Sequence, residues 1–153
     1  MNEIALCPEC GNSRGVFHEC PHCGTETPPH LTVDTVELNI KVGNPTVEEA
    51  LDQLTQKIRS LQALGVKAVI LIHGYGSSGE GGHIKRGLHA ALESNRYADR
   101  VDDYYFGEQV VFGTQACEAL LKQRPGLKQY LRRFKAGNAG MTVLLLGART
   151  RSA

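Results

Sequence analysis

The 153-residue chain has no apolar run approaching the roughly 20 residues that a bilayer requires; its longest runs are residues 69–72 and 143–146. A membrane-spanning helix is therefore excluded. The first residues, Met1, Asn2, Glu3 and Ile4, include an acid and open no apolar run, so neither a secretory signal nor export is expected, and a cytoplasmic location is. No Gly-x-Ser-x-Gly nucleophile elbow occurs, and no histidine follows His89 to complete a triad in chain order. That excludes a serine hydrolase, although a His-Gly pair follows an apolar run at Ile72. Composition is not skewed either: 41% hydrophobic and 22% charged residues exclude a disordered or fibrous chain. A protein of this length buries about 70% of its unfolded surface, enough for one core but not for a large multi-layer enzyme.

Acidic residues are missing from one third of the chain. Residues 121–153 hold eight bases and no acid, for a net charge of +8. Residues 1–30 are net −3 and residues 31–120 net −4, so the total of +1 conceals the asymmetry. A cationic terminal third points to an anionic partner, with nucleic acid first, through Arg132, Arg133 and Lys135. The alternative is a solvated face that only keeps the protein soluble.

Four of the five cysteines lie in a short internal repeat, Cys7-Pro-Glu-Cys10-Gly and Cys20-Pro-His-Cys23-Gly. In each Cys-x-x-Cys the chain turns back so that two thiolates meet one ion. Proline pre-sets the turn, and the following glycine allows the positive φ that brings amides toward sulfur. Two such knuckles supply a closed tetrahedral site, so Cys7, Cys10, Cys20 and Cys23 are expected to hold structural zinc, with iron the second choice. Disulfides are disfavoured in a chain without a secretory signal. His18 and His22 are surplus to a filled tetrahedron, and Cys117 reads as a small buried apolar residue. Residues 7–24 resemble a short zinc ribbon, a module common in proteins that handle nucleic acids or other proteins. The Thr-Glu-Thr-Pro-Pro-His linker closes that module, giving a unit at 1–30 and a second at 31–153.

The second unit alternates strand and helix signals. Residues 33–42 alternate apolar and polar side chains, which predicts a half-buried strand. Thr46 and Glu49 form a capping box ahead of a helix with Val47, Ala50, Leu51, Leu54, Ile58 and Leu61 on one face. Residues 67–72 read as a central strand, a helix carries Ile84, Leu88, Ala91 and Leu92, residues 100–113 are irregular, and residues 114–123 form another helix. Residues 141–146 make the closing strand. The order predicts an α/β fold with helices packed on a small mixed sheet.

Between the second strand and its helix lies a loop with glycines at 74, 76, 79, 81 and 82. Bare backbone lets amides approach a phosphate, and the following helix N-terminus favours anions. Lys85 and Arg86 sit in the first turn, where they oppose the helix dipole unless an anion lies nearby. His73 ends the strand and is placed to contact that anion or to act in catalysis, the alternative being a capping or core histidine.

Three motifs carry a resemblance to the small MutS-related (Smr) domain over residues 33–147: Pro45-Thr-Val-Glu-Glu-Ala50, Ile72-His-Gly-Tyr-Gly76, and Ala139-Gly-Met-Thr-Val-Leu144. The resemblance implies a compact two-layer βαβαβ-type fold, nucleic-acid binding and, in some members, endonuclease activity. Members usually carry Asp-x-His at the end of the first strand. Here Asn39 and Lys41 stand there, an amide and an ammonium that make a poor base and a poor metal ligand. Lys41 is instead expected to contact phosphate. About 30 residues, somewhere between 90 and 121, exceed the usual domain, and Tyr104, Tyr105 and Phe106 within them either stack on bases or cover the added helix. The resulting expectation is a nucleic-acid-binding protein, DNA or RNA, with little cleavage activity, using Lys41, His73, Gly74, Gly76, Lys85, Arg86, Arg132, Arg133 and Lys135. An active endonuclease using His73 and a ribbon-based protein adaptor are the alternatives.

Overall fold

The computed structural model describes residues 5–41, 45–74, 82–134 and 140–147, with backbone alone for 131–134. A two-stranded antiparallel pair, β1 (Ala5–Leu6) and β2 (His30–Leu31), brackets the cysteine segment. Then follow β3 (Thr35–Asn39), α1 (Val47–Ala63), β4 (Ala68–Ile72), α2 (Gly82–Glu93), β5 (Val101–Phe106), α3 (Gln115–Gln123) and β6 (Met141–Leu146). Short 3-10 turns cover Gly107–Gln109 and Pro125–Phe134, the latter kinked at Tyr130. The main sheet runs β3-β4-β6-β5, with β3 parallel to β4 and the other pairs antiparallel. This is the expected α/β class with a small mixed sheet. Among the described residues no helix is long and apolar enough to cross a membrane.

Local sequence explains the first crossover. The Thr46 hydroxyl accepts the Glu49 N–H and the Glu49 carboxylate accepts the Thr46 N–H, so both orphan amides at the start of α1 are satisfied. Ala50, Leu51, Leu54, Ile58 and Leu61 then bury one stripe of α1 against the sheet. In the central strands β4 and β6 the side chains alternate between two covered faces. Val69, Leu71, Leu144 and Leu146 meet α1 and α2, whereas Ala68, Ile70, Val143 and Leu145 meet Cys117, Leu120 and Leu127 from α3 and the 3-10 segment. Helical structure thus covers both faces of the sheet. Cys117 is buried in this second core, as its apolar setting suggested.

Residues 100–113 correct the sequence analysis. They contain β5, an edge strand paired with β6. The register shifts between Val101 and Asp103, and this bulge removes the alternation by which a strand is recognised. Tyr104 and Phe106 pack toward α2, and Tyr105 packs on the opposite face. All three are half-buried parts of the sheet.

The cysteine segment rests on the C-terminal end of α1. Val16, Phe17 and Leu31 pack against the main core, and the Lys57 ammonium lies 5.3 Å above the Phe17 ring. Since α1 begins beside the C-terminal end of β3 and returns to the start of β4, this segment sits at the N-terminal end of the parallel strands. The opposite edge gathers the ends of β3, β4 and β5 and the start of β6.

Candidate functional site

Two sites stand at these two ends. At the first, the sulfurs of Cys7, Cys10, Cys20 and Cys23 all lie within 4.8 Å of one another and can hold a metal ion. The Cys7–Cys23 and Cys10–Cys20 separations are both 3.7 Å. An ion with metal–sulfur bonds of about 2.3 Å at the centre of a tetrahedron requires edges of about 3.8 Å; a disulfide requires about 2 Å. The two knuckles repeat in detail. Gly11 N–H donates to Cys7 O and Gly24 N–H to Cys20 O, at 2.9 and 2.8 Å, and φ is +79° and +76° at these glycines. Amides of Glu9 and Cys10 point at the Cys7 sulfur and that of His22 at the Cys20 sulfur.

Burial pushes the Cys7 thiol up, but the amides of Cys10 and Glu9 outweigh it and hold the group at about 6. At Cys23 the Thr25 amide favours the thiolate, yet burial and the other three sulfurs push the thiol up to about 12. Four adjacent thiolates need a cation among them. His18 and His22 are exposed and outside the cluster.

At the second site, Lys41, His73 and Gly74 come together. Parallel pairing sets Asn39 beside Ile72, and the Ile40 N–H donates to Ile72 O just beyond it. The Asn39 side chain accepts the Lys41 N–H at 3.0 Å, and the Lys41 side chain passes beside Gly74, whose φ is +77°. Lys41 is exposed, and among the described residues no carboxylate pairs with it.

His73 is 1% exposed. Its Nδ1 lies 2.7 Å from the Gly74 carbonyl, which can only accept, so Nδ1 carries the proton and Nε2 accepts from the Thr142 hydroxyl at 2.8 Å. The Gly140 carbonyl accepts the N–H groups of both His73 and Gly74. Burial, the largest influence, holds the imidazole neutral down to about 4, against the favourable Gly74 carbonyl. His89 stands edge-on to His73 at 6.0 Å and stacks on Phe106 at 3.6 Å. Burial also lowers the His89 pKa. Both ring nitrogens of His73 are thus engaged, and the Nε2–Thr142 bond ties the end of β4 to β6.

The cations at the start of α2 have partners. Lys85 Nζ lies 2.9 Å from Glu108 Oε1, supplied by the turn after β5, so the anion demanded by the helix dipole comes from the chain itself. Arg86 lies 3.0 Å from His83 Nδ1. Gly76 and Lys135 fall outside the described residues, as do the side chains of Arg132 and Arg133. The chain around them is anchored at both ends: the Tyr130 hydroxyl reaches Thr35 O at the start of β3, and Gly140 binds His73. Sequence reasoning missed Glu108 and Thr142. No local signal marks them, because each acts on a partner tens of residues away.

Comparison with known proteins gives one family. The Smr domain model matches residues 42–122, which take in α1, β4, α2, β5 and most of α3. Among solved structures, the crystal structure of the Smr domain of Thermus thermophilus MutS2 is similar at 23% identity with a TM-score of 0.42, covering 75% of this chain and 99% of that one. No curated protein matches.

Proposed function

The chain belongs to the Smr domain family, whose members bind nucleic acids, and from that premise we propose that it binds DNA or RNA along the edge formed by Lys41, Gly74 and the start of α2 while lacking efficient cleavage chemistry. In this reading residues 1–30 form a zinc-bound module and residues 31–153 the nucleic-acid-binding unit. The observation that carries the reading is Lys41 lying beside Gly74. An exposed cation next to bare backbone suits a phosphate, while neither the Asn39 amide nor the Lys41 ammonium suits the work of a base. The neutral, fully engaged His73 serves to shape the edge. In this reading Arg86, Arg132, Arg133 and Lys135 are further cations and Gly76 further bare backbone, with Lys85 shared between Glu108 and the ligand.

Zinc is the metal of choice for a four-thiolate site with sulfur separations of 3.7 Å. The test is binding and cleavage of labelled DNA and RNA by zinc-loaded protein. Binding that weakens in Lys41→Glu, with no cleavage product, is expected. Robust cleavage abolished by His73→Ala would restore the endonuclease reading. One observation favours an adaptor role as a second reading: a groove of about 940 Å³ between the cysteine segment and α1, lined in part by Val16, Phe17, Pro29 and Leu64.

A further inference from the structure

Phe112 is 51% exposed, the one large apolar side chain so exposed among the described residues. Single exposed apolar residues are common on proteins, so its setting decides what it means. Thr114 N–H donates to Val111 O at 3.1 Å, which closes a turn with Phe112 and Gly113 at its two central positions. Gly113 has φ +95°, as the second central position of a type II turn requires.

The turn is held from both sides. The Thr114 hydroxyl donates to Val111 O at 2.6 Å and accepts from Cys117 N–H as the cap of α3. Val110 and Cys117, on either side of the turn, are fully buried together with Met141 at the start of β6. A rigid tip therefore projects an aromatic ring that folding leaves uncovered. Its position is the relevant one: β5 ends at Phe106 opposite Thr142, Glu108 pairs with Lys85, and Phe112 follows three residues after Gln109. The tip thus follows the end of β5, at the same end of the sheet as Gly74 and Thr142.

We propose that Phe112 is a base-stacking platform, so that the ligand of this edge is a nucleic acid with unpaired bases, single-stranded or locally open, rather than a closed duplex. The inference rests on the nucleic-acid reading of the edge. Cations hold the phosphates and the ring takes the face of a splayed base, as single-strand binding generally works. Tyr104, Tyr105 and Phe106, the aromatic run conspicuous in the sequence, are built into the sheet, and the exposed ring is six residues further on.

The chain contains no tryptophan, so Phe112→Trp introduces a single indole at the tip. Wild type, Phe112→Trp and Phe112→Ala, all zinc-loaded, are titrated with a labelled mixed-sequence single strand and with the matching hairpin duplex, as DNA and as RNA. The expected result is preference for single strands, a loss of about 5- to 100-fold in Phe112→Ala for single strands alone, retention in Phe112→Trp, and quenching of the indole on binding. Binding with unchanged indole emission and unchanged Phe112→Ala affinity would overturn the stacking role, assign the tip to another partner such as a protein, and leave the nucleic-acid reading intact. Absence of any binding by wild type would instead overturn both.

Discussion

The two ends of this molecule are built by different forces. The cysteine end carries net charge −3 over its first 30 residues and has two two-residue strands, too little apolar surface to hold a fold. Its order comes from four sulfurs around one point. The opposite edge is supported by a sheet whose central strands are buried on both faces. There, hydrogen bonds from His73 and Gly74 to Gly140, and from Thr142 to His73, tie the end of β4 to the start of β6. At the first end four sulfurs that can hold a metal ion gather a charged shell, whereas at the second a hydrophobic core supports a surface free to specialise. Damage at one end should therefore leave the other intact.

The largest expected effect is at the metal. Purified protein should carry about one zinc per chain, and structural zinc contributes roughly 10 kcal/mol or more to small modules of this kind. Cys10→Ser should therefore melt the ribbon while the main sheet keeps its native spectrum, as read by amide NMR. Loss of the whole fold would show that the two ends are one cooperative unit.

At the other edge the effect is set by protons. His73 is held near 4 in the native state against an ordinary value of 6.5, so the unfolded chain takes a proton that the native state refuses. Stability is complete above pH 6.5 and falls as pH drops toward 4. Between pH 7 and pH 5 the loss from this group is about 2 kcal/mol. Urea titrations of wild type and His73→Gln should differ by that pH-dependent amount, with His89 and the ribbon contributing equally to both. Parallel curves for the two proteins would remove the buried neutral imidazole from the account. The smallest effect joins the ends: Lys57→Ala deletes the cation above Phe17 and should cost under about 1 kcal/mol, with zinc content unchanged.

Much of the main unit was legible because local rules and packing agreed. The capping box at Thr46 and Glu49 set the start of α1, and the apolar run at 143–146 marked the closing strand, which is buried on both faces. The four cysteines announced their site by spacing alone. β5 was not legible, because Asp102 and Asp103 and the bulge beside them break the period of two; it is a strand because β6 offers it partners. At the edge, the meeting of Lys41 and Gly74 followed from two parallel strands, but the burial of His73 did not. Whether a histidine at a strand end faces a ligand or a threonine hydroxyl depends on where β6 lies, and no spacing in the chain encodes that. The same holds for Lys85, whose counter-charge comes from Glu108, 23 residues on.

The most direct test of a cationic nucleic-acid edge is the salt dependence of oligonucleotide binding by wild type and by Arg132→Glu/Arg133→Glu, both zinc-loaded. With about four phosphates neutralised, log K should fall against log[salt] with a slope near −3 on single strands and nearer −4 on duplex. The double reversal should weaken binding to all sequences alike and flatten the slope by about 1.4 to 1.8. Unchanged affinity and slope would contradict the account, leave the +8 segment as a solvated face, and move the function to the groove at the cysteine end.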